Sequence, residues 1–517
     1  MISNRLSTTI KTAFSIALCG LVCLQLTRCS APTSTSGPYF ATGVKIGEVD
    51  QQNALVWLRL TKSANRVGSE APVPKALYQN PETGEWGPEN NKRMDMPTKV
   101  EFPEGYDINT IEGAVPGASG EVKVRYRKAG GEWQETPWHK IDGENDFIKQ
   151  VKLSNLTAGT SYDFEALARP PGSEATSATI TGYFKTAPQP TDEKPISFVL
   201  TTCTGYPDLD SLDFGYKMYP QMLKLKPDFF VHTGDILYYD RLGKTKDLAL
   251  WHWDRMYSLP SNLEFHRQVT SYFIKDDHDT WMNDSWPGRQ TRFMGEFTFE
   301  QGLELFRNEV PMGDKTYRTF RWGKDVQIWM VEGRDFRSPN DTPDGPGKTI
   351  WGKEQKDWFK RTVSNSDATF KFLISPTPLV GPDRDRKNDN HANSGFQYEG
   401  REIREFISTQ ANMFVICGDR HWQYVSKDDD TGVLEFSCGA GSDDHAGGWK
   451  PDDLRPQHLY MNVIGGFLSV NVKRQDQQVE VVFRHLGVDG RLLNEHRALA
   501  ENPSTRQLSF SQNMSKL

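Results

Sequence analysis

Cysteine is scarce in this chain: six among 517 residues, three of them (Cys19, Cys23 and Cys29) near the N-terminus. The other three, Cys203, Cys417 and Cys438, are too few for a stapled disulfide framework. Their odd number invites a search for a metal-bound thiolate, and Cys203 is the candidate. Long apolar runs are also lacking. The longest, Thr12 to Leu26, falls short of the ~20 residues that a membrane helix needs. Nor is there an excess of positive charge. The formal net charge is −7, so nucleic acid is not the expected partner. No internal repeat is evident.

What is present points to a folded, exported protein. Hydrophobic residues make up 36% and aromatics 11%, with 14 Trp, enough to bury a sizeable core in two or three domains. Arg5 and Lys11 precede the apolar run, and a Ser/Thr/Pro/Ala-rich stretch from Ser30 to Gly37 follows it. That is the pattern of a secretory signal, so residues 1–29 are expected to be a leader. Leu26-Thr-Arg-Cys29 resembles a bacterial lipoprotein cleavage site, although Arg28 stands where a small residue is usual. The expected destination is the periplasm, cell surface or exterior of a bacterium, with Cys29 as a site for a lipid anchor.

Two regions follow. Residues 39–188 read as β: Val44 to Val49 and Ala54 to Leu60 are short strands, and Glu121 to Arg127 alternates with period two. From Val151 to Ala166 a strand, a Gly-containing corner and Tyr162 opening the next strand match the tyrosine corner of a fibronectin type III sandwich. Residues 68–118, rich in Pro, Asn and Gly, read as a long insertion or loop, and 187–192 as a linker. Residues 195–517 read as a layered α/β domain. Its short apolar runs are 196–202, 228–232, 271–275, 327–331, 369–375, 413–417 and 433–437, with a closing hairpin over 467–484. Segments 241–270 and 377–400 are expected to wall a pocket.

The chemistry-bearing residues fall just past the carboxyl ends of these runs, where ligand sites of open α/β sheets form. Gly234-Asp235-Ile-Leu-Tyr238 offers a carboxylate able to bridge two cations and a phenol suited to ferric iron. Alone it is weak, because a strand-end Asp usually caps a turn. Lys275-Asp-Asp277-His278-Asp279 gathers charges that repel unless a cation compensates, and Asn283 adds an amide oxygen that calcium accepts. Gly418-Asp419-Arg-His421 is uninformative in isolation, and Cys203 reads equally as a small buried hydrophobe. Together they sort chemically: Cys, Tyr and His suit a transition metal, and Asp277, Asp419 and Asn283 suit calcium or magnesium, with Asp235 between. All are expected to follow strands of one sheet.

In motif order and spacing the sequence resembles the alkaline phosphatase D family of metallophosphoesterases. The resemblance rests on Thr-Cys-Thr at 202–204, Gly-Asp-x-x-Tyr at 234–238, Asp-Asp-His-Asp at 276–279, Gly-Asp-x-His at 418–421 and Glu332-Gly-Arg334-Asp-Phe-Arg337. It implies a calcineurin-like αββα sandwich preceded by the fibronectin-III-like sandwich. It also implies alkaline hydrolysis of phosphomonoesters or diesters by a metal-activated hydroxide, with a leaning to diesters. Cys203, Tyr238, His421 and Asp235 would hold Fe3+, and Asp277, Asp419 and Asn283 would hold Ca2+, with Mg2+, Mn2+ or Zn2+ as substitutes. His278 would be the general acid, and Arg337 or Arg334 would grip a phosphate oxygen. Glu332-Gly333 and Asp279 depart from the family pattern, and Asp389 and His391 receive no role. The implied substrate is a small phosphate ester or an extracellular or cell-envelope phosphodiester. The competing readings are a purple-acid-type phosphatase, which would need a later His-x-His pair, and a non-catalytic surface binding protein with a degenerate α/β domain.

Overall fold

In the computed structural model, residues 37–88, 94–475 and 478–501 are described. The expected leader and Cys29 lie outside them. Among the described residues no helix is long and apolar enough to cross a membrane.

All seven apolar runs of the α/β region are strands, but they divide between two sheets rather than sharing one. The first sheet has six strands, in the order Ser271–Phe273, Phe229–His232, Ile196–Thr201, Gly466–Gln475, Gln478–Gly487 and Leu492–Leu499. Its first three are parallel and the C-terminal hairpin joins antiparallel. The second has seven strands, in the order Arg318–Trp322, Val326–Met330, Phe370–Ser375, Met413–Cys417, Leu434–Cys438, Gln423–Lys427 and His458–Asn462. Local sequence could not separate them, because a strand buried on both faces reads the same in either sheet.

The sheets pack face to face through an apolar layer. Phe198, Leu200, Phe229 and Val231 from one side meet Ile328, Phe372, Phe414 and Phe436 from the other. Phe198 meets Phe372 edge to face with ring centroids 5.3 Å apart, and Phe436 stacks on Phe483 at 3.8 Å. Helices cover both outer faces. Lys246–Tyr257 and Phe299–Glu309 lie over the first sheet, and Gly352–Ser364 and Gln397–Ser408 over the second. Phe359, Val363, Ile403 and Ile407 supply the buried stripes of the latter pair at helical spacing. The result is an αββα sandwich.

The N-terminal strands form a three-stranded sheet (Val44–Gly47, Ala54–Arg59, Ile148–Leu153) facing a five-stranded one built on Gly120–Lys128, Ser161–Arg169 and Ala178–Lys185. The Tyr162 hydroxyl accepts from the Thr157 N–H at 2.8 Å, which is the hydrogen bond of a tyrosine corner. Two expectations change here. The 68–118 segment is not simply a loop, since Lys75–Gln79, Trp86–Gly87 and Thr98–Glu101 pair into a small sheet. The stretch read as a linker is packed: Ala187 is buried and exchanges hydrogen bonds with Gly159 and Asp50, while Pro188 O accepts from Gln51 and Gly323.

Candidate metal centre

Three consecutive strand ends of the first sheet and one of the second deliver their side chains to one place. Three of the four do so through an uncommon backbone conformation. Cys203, Asp235 and Asp419 have φ of 51°, 54° and 63°. Non-glycine residues enter this left-handed region rarely, and when they do at a strand end the site is worth attention. Thr202 ties the segments together: its hydroxyl donates to Gly234 O at 3.1 Å and accepts from the Asp419 N–H at 3.3 Å, linking the two sheets. Two glycines permit the approach. Gly234 has φ +106°, and a Cβ on Gly418 would lie 2.5 Å from Thr233 O.

Three sets of potential ligand atoms lie within 4.8 Å of one another: Cys203, Asp235 and His421; Asp235, Asp277 and His278; and Asp235, Asp276 and Asp419. Asp235 belongs to all three. The Tyr238 hydroxyl lies 3.3 Å from His421 Nε2, beside the first set. Asn283 is half-buried a turn beyond Asp277, and its carbonyl accepts from Arg289 at 3.1 Å.

These donors fit a metal. Asp235 Oδ1 and Asp276 Oδ2 are buried and meet no hydrogen-bond partner among the described residues. An uncompensated buried carboxylate costs several kcal/mol, and a cation is the usual remedy. Burial pushes the carboxyls of Asp235, Asp276 and Asp419 above their ordinary range and raises the Cys203 thiol, which neighbouring Asp235 raises further. Burial also lowers His421, helped by His445, leaving a neutral ring whose lone pair is free for a metal.

His278 behaves in the opposite way. Burial pulls its pKa down, but Asp240, Asp277 and Asp235 together hold it well above the usual histidine value. Its Nδ1 faces Asp240 Oδ1 at 3.1 Å, so Nε2 is free to point elsewhere. Asp277 is driven up by burial, yet Arg334 and His278 outweigh that and keep it ionised.

The arginines expected to hold phosphate are engaged with protein. Arg334 is buried and grips Asp276 Oδ1 through Nε at 2.7 Å and Nη2 at 2.6 Å, with Asp277 at 3.7 Å. Arg337, also buried, donates to Asn340 Oδ1 at 2.7 Å and to Asp389 O, tying down the 377–400 loop. A guanidinium commits to whichever acceptors the fold brings near, which spacing does not encode. Glu332, a departure from the family pattern, pairs with Lys275 beneath the site. Asp279 accepts from Leu237 N at 2.8 Å and so braces the Asp235–Tyr238 turn.

Lys387 is the cation that reaches the centre from the 377–400 loop, lying 2.8 Å from Asp284 Oδ1 and 2.9 Å from Asp389 Oδ2. His391 is buried against Glu399 at 2.9 Å, away from these groups. Cys417 and Cys438 are free thiols. Sequence reasoning missed Asp240 and His445. The latter lies in the Gly-rich segment after strand Leu434–Cys438, so the strand-end rule applied to that run would have found it.

The comparisons with known proteins agree with this geometry. The model of the PhoD-like phosphatase family matches residues 198–458. Alkaline phosphatase D of Bacillus subtilis (strain 168) is 22% identical over 300 residues, covering 47% of this chain and about half (49%) of that relative's length. A solved structure of PhoD superposes with a TM-score of 0.66 at 16% identity over 90% of each chain. A purple acid phosphatase from yellow lupin seeds superposes at 0.56 with 13% identity, over 87% of this chain and 80% of that one. These likenesses establish a shared fold with both. With the family model spanning half of its length and the metal-ligand types gathered where strand ends of the two sheets meet, the chain belongs to the PhoD-like phosphatase family.

Proposed function

We propose that this protein is an exported hydrolase of phosphate esters that works with a pair of adjacent metal ions. Cys203, Tyr238, His421 and Asp235 would hold a transition metal, with Fe3+ the best match to phenolate and thiolate. Asp235, Asp277, Asp419 and Asn283 would hold a hard cation such as Ca2+. The observation that carries the reading is the sharing of Asp235 among three largely buried sets of potential ligands drawn from two sheets.

Bound metal ions supply Lewis-acid polarisation of the phosphoryl group and lower the pKa of a coordinated water. The protein's own part is positional and acid–base. His278, oriented by Asp240 through Nδ1, would present Nε2 to donate a proton to the leaving oxygen. Arg334 holds Asp276 and Asp277 in place, and Lys387 ties the 377–400 loop to Asp284. The substrate class is a small phosphate ester or an extracellular phosphodiester.

The test is hydrolysis of bis(4-nitrophenyl) phosphate and 4-nitrophenyl phosphate, before and after chelation and after metal is restored. Chelator-sensitive turnover of either, lost in Asp235→Asn, is expected. Turnover indifferent to chelator and to Asp235→Asn would leave the surface-binding reading ahead.

A further inference from the structure

Tyr238 has a neighbour that the hydrolytic reading does not use. His445 Nε2 lies 2.7 Å from the Tyr238 phenolic oxygen, closer than His421 Nε2 at 3.3 Å. The other ring nitrogen of His445 lies 2.8 Å from Asp208 Oδ2. His445 is buried, with ring centroid 4.3 Å from His421 and 5.0 Å from Tyr238. It does not join Cys203, Asp235 and His421 in the set of mutually close ligand atoms. It therefore touches the phenol from outside the ligand set.

The surrounding chain is built to keep it there. Ala440 bridges to Thr202 in parallel register, and the Gly441 N–H donates to Cys203 O at 3.2 Å, fastening the Gly-rich segment to the first metal-ligand turn. The His445 N–H donates to Ser442 Oγ at 3.3 Å. Gly205 lies directly against the ring, where a Cβ would sit 2.7 Å from His445 Cε1 and Nδ1. Asp208 follows three residues later in the short turn Tyr206–Asp208, and Arg241 approaches its carboxylate at 3.4 Å. A carboxylate fixing one nitrogen of an imidazole while the other meets a metal-ligand oxygen is the geometry by which outer residues orient and tune ligands.

We propose that Asp208 and His445 form a positioning pair that fixes the phenolic oxygen of Tyr238 and tunes the metal bound to it. This rests on the assignment of Tyr238 as an iron ligand. With Nδ1–H donated to Asp208, Nε2 accepts from the Tyr238 hydroxyl and holds the phenolic oxygen in place; without His445 the ring is free to swing.

The experiment compares iron-loaded wild-type protein with His445→Phe, Asp208→Asn and Tyr238→Phe. Wild type should show a visible phenolate-to-iron band that Tyr238→Phe abolishes. In His445→Phe the band should shift or weaken and iron affinity should fall by about 10–100-fold, as expected when a ligand loses the residue that orients it. Asp208→Asn, a milder change at a partly exposed residue, should move both in the same direction by less. A wild-type band present but unmoved in both variants, with unchanged iron retention, overturns the positioning pair alone. Absence of any such band in iron-loaded wild type overturns the iron–tyrosine assignment, and the pair with it. A packing role for His445 alone would lower thermal stability without shifting the band of Asp208→Asn.

Discussion

Replacing Arg334 with Met should destabilise the protein severely, by an amount that the geometry predicts. The guanidinium is buried and holds Asp276 Oδ1 with two nitrogens, at 2.7 and 2.6 Å, while Nη1 donates to Ser285 O at 3.2 Å. Asp276 is fully buried and its Oδ2 has no other partner among the described residues. Removing one member of a buried pair leaves the other charge uncompensated, at a cost of about 3–5 kcal/mol. Unfolding entropy near 2.1 cal/mol/K per residue gives ~1 kcal/mol/K for a unit of roughly 480 residues, so Tm should fall by about 3–5 °C. Denaturant melts of chelated protein would measure the change directly. The double variant Arg334→Met/Asp276→Asn removes the stranded charge and should recover more than half of the loss. A single variant within 1 kcal/mol of wild type, or strictly additive effects in the cycle, would refute the clamp.

Two further outcomes test the site. His278→Asn should slow esters of poorly acidic alcohols by about 10²–10⁴-fold and nitrophenyl esters far less, because only the former need a proton at the leaving oxygen. Equal losses across a leaving-group series would remove the proton from its role. Gly418→Ala places a methyl 2.5 Å from Thr233 O and 2.8 Å from Pro376 O, forcing the two sheet edges apart. It should cost about 1–3 kcal/mol and weaken metal retention, measured by melting and by metal content after dialysis. Full retention at wild-type stability would show that the edges are not held so close.

Much of this architecture is legible in the sequence because buried strands and the turns after them leave local marks. The runs ending at Thr201, His232 and Cys417 are mostly apolar and buried, and each is followed within a few residues by Cys203, Asp235 or Asp419. The tyrosine corner is legible for the same reason, since Thr157 and Tyr162 are five residues apart and their hydrogen bond is local. What depends on distant partners is not. Membership of two sheets rather than one is decided by side chains such as Phe198 and Phe372 meeting across the sandwich. Arg337 and Arg334 look interchangeable in sequence, but Arg334 meets Asp276 whereas Arg337 meets the backbone of the 377–400 loop. Asp240 carries no motif of its own, and only its contact with His278 reveals it.

The buried carboxylates also set how stability should respond to pH once metal is stripped away. Burial raises the pKa of Asp235 and Asp419, and Asp279 is pushed up to about 7. In the unfolded chain the same groups titrate near 3.9. Between about pH 4 and 7 the folded chelated protein therefore binds more protons than the unfolded one, and its stability falls as pH rises. His278 acts in the same direction: its folded pKa lies above the unfolded value, so its contribution is complete below about pH 6.5 and fades above it. Asp277, held low by Arg334 and His278 against its burial, contributes stability that is lost only in stronger acid. Chelated protein should thus melt at a lower temperature at pH 8 than at pH 5. Metal at 100 times its Kd should restore about 2.7 kcal/mol at pH 8, because cations take the place of the missing protons. A chelated protein whose Tm is level or rising from pH 5 to pH 8 would mean that these carboxylates are not confined together, and the metal centre built on Asp235 would fall with them.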